Sequence, residues 1–323
     1  MTQPVLTVED LHISIGGKPV VDGVGFSVAA GEIVTLVGES GCGKSMTAFS
    51  VMGLLPRVAT RKKGSVRLNG RELTRLDDAA LKRLRGDEMA MIFQEPVASL
   101  NPLMPIGRQI AESLVVHRGL TTSQAQRQAI AMLEQVGIPE PALRFRQFPF
   151  ELSGGMCQRA MIAMALITEP RLLIADEPTT ALDVTIQAQI LELMTRLRAE
   201  TGTAILLITH DMGVVADIAD RVSVMYAGQI VEEAPVDAIF DKQHHPYTRM
   251  LLSTIPRLDG VAKTFLPTIK GTVPDIGSWP SGCRFSTRCP LADDVCNQPP
   301  PLAAAGIDHR AACWHQTWIG TLA

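Results

Sequence analysis

Several things this chain lacks bound what it can be. Its longest apolar runs, such as Ala204 to Ile208, fall far short of the ~20 residues that span a bilayer. A cytosolic protein is therefore expected, with any membrane contact made through a partner. The first residues, Met1-Thr2-Gln3-Pro4, have no basic n-region and no apolar h-region, so no signal peptide is expected. There is no surplus of basic charge: a net charge of −3 gives none of the positive surface that nucleic-acid binding needs. Cysteines are few, six in all, and four of them (Cys283, Cys289, Cys296 and Cys313) crowd into the tail. In a reducing cytosol that clustering favours metal over disulfides. What remains is ordinary for a soluble globular protein, 46% hydrophobic and 20% charged. A length of 323 residues suffices for one large core and a smaller appendage.

The most informative stretch is Gly38-Glu39-Ser40-Gly41-Cys42-Gly43-Lys44-Ser45, which fits the phosphate-binding pattern G-x-x-x-x-G-K-[ST]. Glu32 to Val37 before it reads as a buried strand, and Met46 to Met52 after it as a helix. Glycines let backbone N–H groups face a phosphate with no Cβ in the way. Lys44 would reach the β- and γ-phosphates and Ser45 would bind Mg²⁺. The helix N-terminus adds partial positive charge.

Val5 to Ile15 alternates as a half-buried strand, Gly16-Gly17-Lys18-Pro19 is a turn, and Val20 to Val28 returns as a second strand. Gly64 to Leu68 is a further strand closed by the hairpin-like turn Asn69-Gly70. Asp77 to Arg85 reads as a helix, and Met89 to Phe93 as a strand delivering Gln94. Pro96, Asn101-Pro102 and Pro105 break the next stretch into a loop. A helix follows, opened by the capping box Thr121-x-x-Gln124 and stopped at Gly137. Met156 to Ile167 is another helix, whose methionine stripe reads as core packing.

Two short, uniformly apolar runs then end in polar residues: Leu172 to Ala175 before Asp176-Glu177, and Ala204 to Ile208 before Thr209-His210. Both read as central parallel strands, and in open α/β sheets ligands sit beyond the carboxyl ends of the strands. Lys44 and Ser45, Asp176 and Glu177, and His210 are thus expected along one edge. A carboxylate ending such a strand helps hold Mg²⁺ in P-loop NTPases, and Glu177 is placed to orient or deprotonate a water. Leu152-Ser153-Gly154-Gly155-Met156 puts Ser-Gly-Gly at a helix start, a second anion site. Two phosphate sites in one chain imply head-to-tail subunits, each completing the other's site.

These motifs together resemble an ABC ATPase, in the branch serving dipeptide and oligopeptide importers. Gly38 to Ser45 matches Walker A, Gln94 the Q-loop, Leu152 to Met156 the signature, and Leu172 to Asp176 Walker B followed by its catalytic glutamate Glu177. Ala181-Leu182-Asp183 matches the D-loop and His210 the switch histidine. The branch is indicated by Met91 to Pro96 with Ser99 to Pro102, by Asp176 to Thr185, and by His245-Pro246-Tyr247-Thr248. The chain departs twice: the signature ends in Met156 rather than Gln, and Ile15 stands where an adenine-stacking aromatic is expected.

The resemblance implies an α/β fold with a P-loop NTPase (RecA-like) core, an antiparallel β-layer and a helical subdomain at about 95–160, together spanning 1–235. A small loop-rich extension follows over 236–323. It implies ATP hydrolysis with Mg²⁺ held near Ser45, Gln94 and Asp176, with Glu177, His210 and Gln94 serving catalysis. Nucleotide contacts would come from Gly38 to Ser45, and across the dimer from Ser153, Gly154, Gly155, Met156 and Asp183. The implied partners are a second, related ATPase subunit, two permease subunits and a periplasmic or surface substrate-binding protein. The implied place is the cytoplasmic face of the inner (cell) membrane, peripherally. Peptide is the implied cargo; relatives in this branch also serve nickel, opines and glycosides. A soluble ABC ATPase acting on DNA or the ribosome fits less well. The interval from Ser45 to Leu152 has no room for a long coiled coil, and the chain has one P-loop.

Past Pro235 the composition shifts. Pro246 suits the first position of a helix, and a loop-rich connector from Pro256 to Gly277 leads to the four cysteines. Their spacings, x₅, x₆ and x₁₆, lack the C-x₂-C pairs of zinc ribbons. Four thiolates suit a [4Fe–4S] cluster as readily as zinc, Cys289-Pro290 is similar to ferredoxin-type Cys-Pro, and free buried thiols are a third reading. The peptide-importer resemblance implies the cluster. Cys42 and Cys157 lie in other motifs and read as small packing residues.

Overall fold

The computed structural model describes residues 3–179, 183–255 and 268–316. β1 (Leu6–Ile15) and β2 (Lys18–Val28) turn on Gly16-Gly17, both at positive φ (+55° and +82°), as a two-residue hairpin requires. β3 (Ile33–Val37) is buried at every position, and the glycine-rich loop joins it to α1 (Lys44–Met52). β4 (Ala59–Leu68) pairs antiparallel with the two-residue β5 (Arg71–Glu72) about Asn69-Gly70. Asp77 caps α2 (Asp78–Leu84), its carboxylate accepting from Ala80 N at 2.7 Å. β6 (Met89–Ile92) leads to Gln94.

The expected proline loop contains one helical turn, α3 (Pro96–Ser99), because Pro96 takes the first helical position, where its missing N–H costs nothing. α4 (Ile106–Arg118) follows, then α5 (Thr122–Gln135), which carries both bonds of the Thr121–Gln124 capping box. After α6 (Pro141–Arg144), α7 (Gly154–Leu166) starts two residues before Met156, because Ser153 caps it. β7 (Leu172–Asp176), α8 (Val184–Thr201) and β8 (Ala204–Ile208) complete this part. Then come α9 (Met212–Ile218), β9 (Arg221–Tyr226), β10 (Gln229–Pro235), α10 (Val236–Asp241), α11 (Pro246–Ser253), β11 (Ala303–Gly306) and β12 (His309–Ala311).

The chain divides into two compact units. One comprises Met1–Leu6, Ser27–Ile33 and Arg67–Ile208. Its strands β6, β7 and β8 are parallel, in the register Met89↔Leu172↔Ala204, with α2 to α8 in the same unit. The other comprises Thr7–Phe26, Val34–Val66 and Thr209–Ala323. There β3 lies parallel to β9, β9 antiparallel to β10, β10 to β12, and β12 to β11. No helix among the described residues is long and apolar enough to cross a membrane.

Strands β9 to β12 carry no clear alternating signal in the sequence, and β10 shows why. It contains Glu232 and Glu233, which are 0% and 3% exposed. A buried carboxylate persists only where it is paired and hydrogen-bonded. Glu232 accepts from the backbone N–H groups of His244 and His245 and lies 2.7 Å from Nε2 of His309 on β12. Glu233 meets Arg221 at 3.0 Å and also pairs with Arg310.

The tail is anchored in an aromatic core. Tyr226 of β9, Tyr247 of α11 and Phe285 are all buried, with ring centroids 4.7, 5.1 and 5.4 Å apart. Burying a ring the size of Phe285 contributes about 1.5–3 kcal/mol, and each aromatic pair about 0.5–1.5 kcal/mol more. The segment holding Cys283 and Cys289 is therefore fixed in place. His245 begins α11: its Nδ1 accepts from Tyr247 N at 3.1 Å, with Pro246 at the first helical position.

That role requires a neutral imidazole. Burial pushes the His245 pKa down to about 4, against an opposing pull from Glu232. Its folded value lies below its unfolded one, so the unfolded state binds the extra proton. Stability contributed by neutral His245 is complete above about pH 6.5 and is lost as pH falls towards about 4. His245→Asn keeps a capping acceptor without a titrating ring. Thermal unfolding between pH 7 and about 4.5 should fall less steeply for this variant than for wild type; equal slopes would refute the assignment.

Candidate functional site

In the second unit, the end of β3 passes hard against β9. A Cβ on Gly38 would stand 2.2 Å from the carbonyl oxygen of Met225, and Gly38 takes φ +149°. Gly43 takes φ +102°, and a Cβ there would meet Val20 O at 2.9 Å. Only glycine fits at either place. The loop between them is held by Gly228 N, which donates to Cys42 O at 3.0 Å, while Ser40 and Gly41 face solvent. Lys44 is 7% exposed, and its Nζ donates to Gly38 O at 2.7 Å and Glu39 O at 3.1 Å. Ser45 follows, half-buried in the first turn of α1. The geometry is a glycine-lined backbone loop, a helix N-terminus and one ammonium group, which together suit a polyphosphate.

His210 is exposed just beyond β8. Thr209 N donates to Leu36 O at 3.3 Å, which hangs this segment beside the end of β3. Asp211 fixes the chain after it, its carboxylate accepting from Gly213 N at 2.8 Å at the start of α9. Ile15 is half-buried at the end of β1. Cys42 is buried with Sγ 3.7 Å from Lys44 Nζ; burial pushes its thiol pKa up, as suits a small packing residue. Cys157, in the first unit, is likewise buried, with Sγ 3.4 Å from Pro149 O.

The first unit carries the carboxylates. Asp176 ends β7 at 2% exposure, opposite Ile208 in register. Glu177 comes next at φ +50°, with its N–H donating to Ile208 O at 2.8 Å. A non-glycine residue in the left-handed region costs on the order of 1–3 kcal/mol and marks a geometry the surroundings impose. Gln94, exposed beyond β6, donates from Nε2 to Glu177 Oε2 at 3.4 Å, so the structure brings these two predicted residues together.

Ser153 caps α7, Oγ accepting from Met156 N at 3.3 Å. Gly154 has an ordinary φ and open space where a Cβ would point, so nothing within this chain demands glycine there. Gly155 and Met156 are half-buried. Gln158, 2% exposed, donates to Pro178 O and ties the start of this helix to the segment after Glu177. Asp183 caps α8, accepting from Ile186 N at 3.0 Å; Ala181 and Leu182 of the expected D-loop lie outside the described residues.

Two residues that sequence reading gave no nucleotide role meet the phosphate loop. Tyr247 Oη accepts from Glu39 N at 2.9 Å, and Arg288 forms a bidentate ion pair with the Glu39 carboxylate. The His-Pro-Tyr-Thr motif was the one available signal for Tyr247. Arg288 had none.

The four tail cysteines are free thiols, Cys296 buried and the others half-buried. Burial raises the Cys283 pKa and pushes Cys289 up to about 11 and Cys313 up to about 12, each also raised by neighbouring thiols of the set. Backbone N–H groups point at two of them, Leu291 N to Cys289 Sγ at 3.4 Å and His315 N to Cys313 Sγ at 3.3 Å. Tetrahedral zinc needs its sulfurs about 3.8 Å apart. Among the described residues, the group of donors within 4.8 Å of one another is Asp293, Cys296 and His315, not the four cysteines. Of the four tail cysteines, that group contains Cys296.

Comparison with known proteins matches residues 21–180 to the ABC transporter family and residues 231–296 to the oligopeptide/dipeptide transporter C-terminal region. The chain is 47% identical over 320 residues to the dipeptide transport ATP-binding protein DppD of Bacillus subtilis (strain 168), covering 97% of this chain and 95% of that protein. It is 48% identical over 316 residues to a putative peptide import ATP-binding protein of Brucella abortus (strain 2308), with 97% and 95% covered. Among solved structures it is similar to a dimeric post-hydrolysis state of the ATP-binding cassette MJ0796 bound to ADP and Pi. There the TM-score is 0.66 at 26% identity, over 72% of this chain and 98% of that one.

Glu177→Gln should leave ATP bound but slow turnover by about 10²–10⁴-fold. Equilibrium ATP binding and phosphate release, measured on the same preparation, check this; near-normal release would remove Glu177 from the chemistry.

Proposed function

The chain belongs to the ABC transporter family of ATP-binding proteins, and from that premise we propose that it binds and hydrolyses ATP to power import of dipeptides or oligopeptides through membrane permeases. The observation that carries the reading is the joint occurrence of the phosphate loop of Gly38 to Ser45 and the oligopeptide/dipeptide transporter C-terminal region in one chain.

The residue roles follow by family. Gly38, Glu39, Ser40, Gly41, Cys42 and Gly43 would cradle phosphate, Lys44 would neutralise its charge, and Ser45, Gln94 and Asp176 are the residues that would hold Mg²⁺. Glu177 would orient the attacking water, assisted by Gln94, and His210 would act on the γ-phosphate. Positioning and charge neutralisation supply most of phosphoryl-transfer catalysis, so each of these groups has only to be held in place. Ser153, Gly154, Gly155, Met156 and Asp183 would meet the nucleotide of a second ATPase subunit. The open space beside Gly154 supports this, since an approaching phosphate gives a reason for glycine that the chain itself does not. The division into an ATPase domain (1–235, with a helical subdomain near 95–160) and an extension (236–323) belongs to the same reading.

The partners are a related second ATPase subunit, two permeases and a periplasmic or surface binding protein, with the chain peripheral on the cytoplasmic face of the inner membrane. The complex reconstituted with its binding protein should show ATP hydrolysis stimulated by dipeptides or longer peptides. Stimulation only by nickel, opines or glycosides would keep the ATPase and replace the cargo.

Cys283, Cys289, Cys296 and Cys313 would hold a [4Fe–4S] cluster, which would supply a covalent staple for the tail. Anaerobic purification followed by iron, sulfide and zinc analysis should find four irons per chain; one zinc and no iron would end the proposal.

A further inference from the structure

Glu39, the second residue of the phosphate loop, is held at three points. Its backbone N–H donates to Tyr247 Oη at 2.9 Å. Its carbonyl accepts from Lys44 Nζ at 3.1 Å. Its carboxylate takes the fork of Arg288, with Nη1 to Oε2 at 2.7 Å and Nη2 to Oε1 at 3.0 Å. Both outer partners come from the C-terminal region, Tyr247 from α11 and Arg288 from the position before Cys289.

Neither partner is free to move. Tyr247 is 0% exposed within the Tyr226–Phe285 cluster. The Arg288 side chain is 3% exposed, and its remaining donors are used. Nε donates to Lys270 O at 2.9 Å, Nη1 also to Tyr226 Oη at 3.3 Å, and Nη2 also to Ile269 O and Gly271 O at 3.4 Å each. A planar guanidinium used in this way is a rigid fixture, unlike an exposed lysine. Three residues before Arg288, Phe285 sits in the core, and four before it Arg284 pairs with Asp22 and donates to Ala227 O at 2.6 Å.

Position 39 carries a liability. A carboxylate in a phosphate-binding loop repels the anion the loop exists to bind, unless a fixed cation neutralises it. We propose that Arg288 and Tyr247 are positioning residues of the nucleotide site: they clamp Glu39, cancel its charge and aim the loop, so that the cysteine-bearing extension is built into ATP binding. The inference rests on the reading that Gly38 to Ser45 binds nucleotide.

The test is equilibrium binding of MgATP to the purified transporter complex, with steady-state kinetics, unfolding temperature and metal content for each variant. Arg288→Ala should weaken ATP binding about tenfold and raise KM similarly, with kcat at saturation within about twofold of wild type. Arg288→Lys should recover part of the loss. Adding Glu39→Gln to Arg288→Ala should recover most of it, because the unpaired carboxylate is then gone; a merely structural Arg288 gives no such rescue. Tyr247→Phe, which loses only the hydroxyl, should weaken binding about threefold.

Wild-type affinity in Arg288→Ala overturns the proposal, as does a double variant no tighter than Arg288→Ala. If Arg288→Ala does not fold, Tyr247→Phe decides, and unchanged affinity there overturns it. Lys44→Ala separates the two readings. If that variant binds MgATP as wild type does, the phosphate-loop reading fails, and this inference fails with it.

Discussion

At Gly38 the chain comes so close to Met225 that a single Cβ would have to stand 2.2 Å from a carbonyl oxygen. The phosphate loop depends on that contact. It fixes the end of β3 against β9, and with Gly43 against Val20 O it fixes both ends of a loop whose middle faces solvent. Lys44 then has one direction to point, into the loop it closes. Interiors are close-packed, so the fit at the two glycines limits where the loop and its ammonium group can lie. Positioning of charge is what phosphoryl transfer asks of a protein.

The second unit is built around charge as much as around apolar packing. Glu232 is fully buried yet holds two backbone N–H groups and His309, and so joins β10, the start of α11 and β12. Glu233 joins Arg221 and Arg310 in the next register position. Arg284 and Arg288 extend the same pattern to Asp22 and to Glu39. Such groups contribute little net stability, because desolvation offsets most of their attraction, but leaving any partner alone is costly. Their effect is to make one arrangement of the extension far better than its neighbours. Among the described residues of the extension, these pairs tie its short strands and loops to β2, β9, β10 and the phosphate loop.

The first unit shows the same economy of means with different parts. β8 and β7 up to Ala175 are apolar, so polar groups fall at the strand ends, where Asp176 is buried and Glu177 is turned into the left-handed region. Gln94 reaches Glu177 from the neighbouring strand, and Gln158 reaches Pro178 from α7.

What the sequence determined by itself was the set of locally encoded features. Glycine positions, capping boxes, the turns at Gly16-Gly17 and Asn69-Gly70, and apolar runs ending in Asp176 or His210 are readable because neighbouring residues suffice to impose them. Because these motifs occur in order, the family followed as well. Strands β9 to β12 were not readable, since buried glutamates in β10 break the apolar pattern and only His309, Arg221 and Arg310 make them tolerable. The helical turn at Pro96 was hidden because proline signals a break as readily as a helix start. Arg288 and Tyr247 lie 249 and 208 positions from Glu39. No local pattern can encode a contact of that separation, because it exists only once Tyr226, Tyr247 and Phe285 have packed together. Tertiary structure alone decided that the tail holds the phosphate loop.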